Sequence, residues 1–293
     1  MGLRAAQYAA AAVVLGLPAF MMYGGRVVGG QQPRWARSAL GWSAATLALL
    51  AAAALALQTG LMAGALDQAL NREALGFVLG GTALGAAYAV RIGAGLLLLA
   101  VLALRTGRGL WLGGLTLGLV VAASFAWTGH GAATEGPGHG LHLASDIAHA
   151  VAALTWLGAV FAFVALATRR IEKDAAAKTE LATALGGFAG VGTLCVAVLL
   201  VTGLINSFYL VGIERVFSLG ETAYGRLLTV KLAAFIAMLG LAALHRFRST
   251  PALERDEGGL AGLRFSLGAE LALGVLILAL VGMMGMLAPP ASL

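Results

Sequence analysis

The stretch HLASDIAHAVAALTWLGAVFAFVALAT, residues 142–168, decides the fold. It opens with His142, Ser145, Asp146 and His149, then stays apolar until Arg169 and Arg170 close it. Crossing the hydrocarbon core of a bilayer takes about 20 apolar residues of helix, and this run is long enough. A surface helix of a soluble protein would carry a polar stripe along its whole length. Here the polar residues gather at one end and the basic ones at the other, the pattern of a helix that joins two aqueous faces.

Seven further runs read the same way. The chain has 293 residues, 60% of them hydrophobic and 11% charged, with a mean hydropathy of +0.91; soluble domains carry about a quarter charged residues. The spans fall at 5–25, 38–61, 81–104, 110–129, 142–168, 183–211, 226–247 and 264–287. The expected fold class is all-α, a polytopic bundle of eight transmembrane helices forming one membrane unit over residues 1–293, with no soluble domain. Strand-length alternation is absent, which excludes a β-barrel. No internal repeat is apparent, and the longest hydrophilic gaps, near 169–182 and 246–263, are too short to fold alone. The opening MGLRAAQYAAAAVVLGLPAF has the arginine and apolar run of a signal peptide but no small-x-small cleavage site, so it reads as the first span. A single cysteine, Cys195, excludes a disulfide framework and a Cys–Cys metal site.

The basic residues set an orientation. Arg26, Arg34, Arg37, Arg105, Arg108, Arg169, Arg170, Lys173, Lys178, Arg246, Arg248, Arg255 and Arg264 occupy one set of alternate gaps, against Arg4, Arg72, Arg215 and Arg226 on the other side, thirteen against four. The positive-inside rule makes the richer side cytoplasmic, so both termini and the loop between spans 4 and 5 are expected to face outward. The net charge of +6 is scattered through short loops rather than gathered in a patch, which argues against nucleic acid and leaves lipid as the expected surround.

That outward loop holds most of the chain's imidazoles. In GHGAATEGPGHGLHLASDIAHA, residues 129–150, stand His130, His139, His142 and His149, four of five histidines, with Glu135 and Asp146. GPGHG keeps the loop from being helical throughout. From His142 onward, at about 100° per residue, Asp146 and His149 share one helical stripe that Trp156 continues. His142 and Asp146, a turn apart, suit one metal ion, whereas His149 lies about 10 Å deeper and belongs to a second station. Alternatively Asp146 accepts a proton from His149 and fixes its tautomer. Interfacial polarity is the bland alternative for a lone histidine; four beside two carboxylates favour metal or proton handling.

Imidazole suits several transition metals, while thioethers select Cu(I). Met283, Met284 and Met286 end the last span on the histidine side, with Met62 level with them; a mouth lined by both ligand types favours copper, although methionine is also ordinary packing. Four charges lie inside spans: Arg91, Lys231, Asp146 and Glu270. They sum to zero, and depth alone matches Lys231 with Asp146 and Arg91 with Glu270, either as register-fixing salt bridges or as an ion or proton path. Asn206 is a further polar group able to line a cavity. Tyr224 and Trp127 read as interfacial aromatics.

TGLINSFYLVG at 202–212, TAYGRLLTVKLAAFIAMLGLAALHRFRSTPAL at 222–253, TALGAAYAVRIGAG at 82–95, HLASDIAHAVAALTWLGAVFAF at 142–163 and RFSLGAELALGVLILAL at 264–280 resemble the copper resistance protein D (CopD) family. The resemblance covers roughly residues 80–285 and includes T-x-Y-G-R-x-L-x-x-K at 222–231. It implies an eight-span bacterial inner-membrane protein of copper handling, working beside a separate periplasmic copper-binding protein of the CopC type. The positions matching the family's patterned polar residues are Arg91, His142, His149, Trp156, Asn206, Lys231 and Glu270.

Residues and resemblance together predict a non-enzymatic carrier with a copper ion as its cargo. His130, His139 and His142, aided by Met283, Met284 or Met286, capture the ion, and Asp146 with His149 form the next station inward. No ATP-binding loop and no intramembrane C-P-C pair occur in the sequence, so movement would be downhill or coupled to an ion gradient. Two rivals use the same residues: a copper-holding assembly factor without net transport, and a haem-binding electron carrier. Haem ligation by His149 and His245 fails because they lie near opposite faces; His130 with His142 stays open. Oxidation state, direction and oligomeric state are not encoded legibly.

Overall fold

A computed structural model describes residues 1–24, 33–129, 138–168, 175–254 and 260–292, together with 132, 134 and 136. Its helices are α1 (Gly2–Gly24), α2 (Arg34–Met62), α3 (Arg72–Gly81), α4 (Ala83–Leu104), α5 (Gly107–Ser124), α6 (His139–Ala167), α7 (Ala175–Leu210), α8 (Ala223–Leu244), α9 (Thr250–Glu254) and α10 (Leu260–Met284). Eight helical stretches among the described residues are long and apolar enough to cross a membrane, and each contains most of one expected span. The protein is a multi-pass membrane bundle. Its two ends are called here the histidine end, where α6 begins, and the arginine end, where α6 stops.

Three local features depart from expectation. The segment near 62–80 is not simple loop: Leu66–Leu70 forms a 3-10 turn and α3 follows, capped by Asn71, whose side chain accepts from the amides of Glu73 and Ala74. The span expected to start at residue 142 starts at His139, because Gly138 adopts φ +97 and ends the loop there. Only glycine fits that turn, since a side chain would also strike the Tyr209 hydroxyl. At the arginine end, α8 continues through a π-helical turn, His245–Ser249, into α9.

No repeat is apparent along the sequence, yet short motifs recur in the same packing roles in α1–α5 and α6–α10. Thr-Gly-Leu ends α2 at 59–61 and recurs near the end of α7 at 202–204, and each threonine hydroxyl donates to the carbonyl four residues earlier. Thr-Ala-x-Gly opens α4 at 82–85 and α8 at 222–225, and each threonine Oγ1 accepts from the glycine amide. Both glycines press on a carbonyl of the short helix before them, Val78 and Leu219 respectively. Leu-x-Leu-Gly recurs at 115–118 in α5 and 271–274 in α10, with Gly118 seated on Leu15 of α1 and Gly274 on Leu157 of α6. At the centre α1 crosses α6 at the next residue of each, where a Cβ on Gly16 would stand 2.6 Å from Gly158 Cα. Each pair of motifs lies on spans four apart in order, which cross in the same direction, as parallel repeats do. The echoes are a few residues each, spread over more than a hundred, and generic apolar sequence between them hides the period.

Candidate metal centre

The histidine end is built from α6 outward. Thr134, in the loop before α6, touches two of the predicted ligands: its carbonyl accepts from His139 Nδ1 at 2.7 Å, and its Oγ1 shares a 2.6 Å hydrogen bond with His142 Nδ1. His142 is 1% exposed and its ring lies flat on Tyr209 of α7, 4.6 Å between centroids and 6° between planes. His130 and Glu135 lie outside the described residues.

His149 sits two turns deeper, half-buried, with Nδ1 2.9 Å from Thr202 Oγ1. The Thr202 hydroxyl proton already goes to the Val198 carbonyl at 2.6 Å. Thr202 Oγ1 therefore accepts, His149 carries its proton on Nδ1, and in the neutral ring Nε2 keeps its lone pair. The same reasoning applies to His139, whose Nδ1 donates to a backbone carbonyl. A metal-binding imidazole needs this arrangement, one nitrogen anchored as donor and the other left as ligand. Asp146 does not provide that anchor; the alternative in which it fixes the His149 tautomer is replaced by Thr202.

Asp146 lies beside Gly129, and Lys231 of α8 and Arg4 of α1 act on it electrostatically. No ion-pair contact within 4 Å joins Lys231 to Asp146 among the described residues, so the pair interacts through space rather than as a bonded bridge. Met284 is buried against Val211, Tyr224 and Leu228, Met283 is half-buried and Met286 exposed. Tyr224 is thus core beneath Met284, 4% exposed, not an interfacial aromatic. Val211 and Tyr209, two residues apart at the end of α7, carry Met284 and His142 respectively, which brings α6 and α10 to one mouth. Asn206, one turn before Leu210, has its Oδ1 buried without a hydrogen-bond partner among the described residues. Among the described residues no three of His, Cys, Asp and Glu converge tightly enough to cage an ion.

The expected pairing of Arg91 with Glu270 is overturned. Arg91, 2% exposed, donates to Gln7 Oε1 (3.0 Å), Ser124 Oγ (2.9 Å), the Ser124 carbonyl (3.0 Å) and Thr128 Oγ1 (2.7 Å), and its guanidinium lies 4.0 Å over the Phe125 ring. Neutral dipoles and an aromatic face hold the charge. Glu270 instead accepts from Trp156 Nε1 at 2.9 Å and stands 3.2 Å from His245 Nδ1. Sequence reasoning missed His245 and Tyr209: neither belongs to the histidine cluster, and adjacency between helices is not written along one chain.

The repeat aligns these groups. Gln7 precedes the crossing glycine of α1 by nine residues, and His149 precedes that of α6 by nine. Arg91 and Lys231 each follow the capping threonine by nine, and Thr128 and Met284 each follow the packing glycine of the fourth span by ten. Where one half has Gln, Arg and Thr hydrogen-bonded together, the other has His, Lys and Met.

Residues 1–141 match the family described as copper resistance protein D-like, N-terminal domain, and residues 182–284 match copper resistance protein D. The chain is 37% identical over 179 residues to copper resistance protein D of Pseudomonas syringae pv. tomato, covering 59% of this chain and 57% of the relative. It is 34% identical over 161 residues to copper transport protein CutJ of Bacillus subtilis (strain 168), covering 55% of this chain and 27% of that protein. The matched segments thus span little more than half of the first relative and about a quarter of the second. No solved structure matches.

Proposed function

The chain belongs to the copper resistance protein D family, and from that premise we propose that it takes up copper at the histidine end and passes it along α6 into or across the membrane. One observation carries the reading: at repeat-related positions the second half replaces Gln7 and Thr128 with His149 and Met284. Hard hydrogen-bonding groups give way to an imidazole and a thioether, the ligands that favour Cu(I) over the hard cations. The thirteen-to-four excess of basic residues orients the histidine end to the periplasm of a bacterial inner membrane, facing a separate copper-binding protein as donor.

His139 and His142, with His130 from the loop, are the capture ligands, and Met283, Met284 and Met286 supply thioethers at the same mouth. Asp146 offers a carboxylate one turn in, and His149 Nε2 is the next ligand. A cation arriving between Asp146 and Lys231 meets an existing positive charge, so it is held loosely. Loose, sequential donors suit a transit path better than a storage site, which favours passage over holding. The name of the Bacillus subtilis relative, a copper transport protein, agrees with that preference.

Cu(I) titration of purified protein tests the site. Wild type is expected to bind copper stoichiometrically, and His149→Ala and His142→Ala to lose it while retaining their thermal unfolding profile. Binding indifferent to both substitutions would remove the site. Vesicles that bind copper but accumulate none would select the holding reading.

A further inference from the structure

At the arginine end, α6, α7, α8 and α10 enclose a cleft of about 300 Å³, lined largely by apolar side chains and headed by Trp156, His245 and Glu270. Its lining comes from the second half. In the first half Gly95 of α4 packs on Ala44 and Ala48 of α2; in the second, Gly186 of α7, which lines the cleft, meets nothing within 4 Å. Glu270 also has no counterpart: the residue four before the packing glycine of α5 is Gly114, pressed on Pro18.

Three helices hold the head of the cleft together. Trp156 Nε1 donates to Glu270 Oε1 at 2.9 Å, Glu270 Oε2 lies 3.2 Å from His245 Nδ1, and His245 Nε2 lies 2.8 Å from Ser266 Oγ. Ser266 Oγ lies within reach of both His245 Nε2 and, at 3.0 Å, the Leu263 carbonyl, so its hydroxyl can donate to Nε2 or accept from it. The other ring nitrogen then faces a carboxylate oxygen. With Ser266 donating, a neutral ring carries its proton on Nδ1 and gives it to Oε2; with Ser266 turned to the Leu263 carbonyl, Nε2 carries a hydrogen as well and one further proton is held between Nδ1 and Oε2. Both states keep the ring and the carboxylate hydrogen-bonded where His245 and Glu270 are 6% and 2% exposed, as burial requires. The pair is a receptacle for one proton.

Its surroundings give the proton a route. His245 begins the π-helical turn, a distortion common at functional positions. Around the pair and the cleft, α6 brings Trp156, α7 brings Thr193, the turn after α8 brings Arg246, and α10 brings Ser266, while Cys195 of α7 is buried in the apolar cluster of Trp156. Among the described residues Arg246 is the only other charged residue lining the cleft, and it donates to Thr193 at 2.9 Å. Trp156 links the pair to α6 about 10 Å beyond His149 on the same stripe.

We propose that His245 and Glu270 form a proton-binding site served through this cleft from the arginine end, and that this proton is the coupling ion for cation movement along α6. Deprotonation sends the proton from the Nδ1–Oε2 pair to water in the cleft; reprotonation reverses it, and no electron moves. The coupling rests on the copper reading above, whereas the proton site does not. Glu270→Gln is a permanent mimic of the protonated pair, its amide accepting from Trp156 and donating to Nδ1, so it is expected to fold. Infrared difference spectra between acid and alkaline pH should show a titrating carboxyl or imidazole signal in wild type that Glu270→Gln and His245→Gln both lack. Persistence of the signal in both variants would overturn the site. In proteoliposomes, one-to-one coupling shifts the equilibrium copper ratio tenfold per unit of imposed pH gradient. Glu270→Gln should lose that dependence, and Trp156→Phe should keep the infrared signal while weakening it. A wild-type copper ratio blind to the gradient would overturn the coupling. If wild type moves no copper, the transport reading and the coupling fall together, and the infrared comparison still decides the proton site.

Discussion

The two halves of this bundle share a scaffold and differ in what they do with it. In the first, Arg91 is enclosed by Gln7, Ser124 and Thr128, and α2 lies tight against α4. In the second, no hydrogen-bonded cage surrounds Lys231 among the described residues, His149 Nδ1 meets Thr202, and the arginine end holds a cleft. One half closes hydrogen bonds around Arg91; the other holds the groups proposed as ligands and as a proton site. Recurring motifs free one copy to carry structure while the other departs from it, and two of the departures, His149 and Met284, are the groups proposed to bind a cation.

The sharpest way to break this contrast is Arg91→Ala. It leaves buried oxygens of Gln7, Ser124 and Thr128 without their donor, and each buried acceptor so stranded costs about 1–3 kcal/mol. Arg91→Lys recovers only part, because an ammonium cannot reach four acceptors in a planar fork. Thermal unfolding in detergent should fall steeply for Arg91→Ala while Lys231→Ala, outside any bonded cage, falls less. Equal losses would mean that the first half is not the structural one.

Next in size is the central crossing. A methyl on Gly158 meets the Ala12 carbonyl and Gly16 backbone directly. Backbone cannot yield as a side chain can, so Gly158→Ala should destabilise by about 1–3 kcal/mol, and Gly16→Ala by a similar amount. Gly186→Ala, in open space, serves as the control and should be neutral by the same unfolding measurement. A neutral Gly158→Ala would place the two halves farther apart than described.

Much of this was legible beforehand, and the reason is the solvent. A span needs a long apolar run, so GRLLTVKLAAFIAML or HLASDIAHAVAAL declares itself without any partner. The histidine stripe was legible too, because periodicity along α6 is a property of one segment. What the sequence withheld is every contact between helices. Depth suggested Arg91 with Glu270; the true partners, Gln7 and His245, depended on which helices became neighbours. The repeat escaped because packing constrains it at only a few positions: a crossing glycine, a capping threonine, a helix-terminal threonine.

The smallest expected effect is also the most discriminating. Thr59 and Thr202 end matching helices and make the same bond to the carbonyl four residues back. Thr→Val keeps shape and removes that hydroxyl, and since the carbonyl retains its helical amide the cost to folding is about 1 kcal/mol or less at either site. Only Thr202 also receives His149 Nδ1. Thr202→Val frees the imidazole to rotate and change tautomer, and loss of such an anchoring bond lowers metal affinity roughly 10–100-fold. Copper titration should therefore separate two substitutions that unfolding cannot tell apart: Thr59→Val binds as wild type, Thr202→Val binds weakly. If both variants bind equally well, the His149 anchor has no part in holding the cation, and the functional division between the halves moves from Thr202 and His149 to the mouth formed by His142 and Met284.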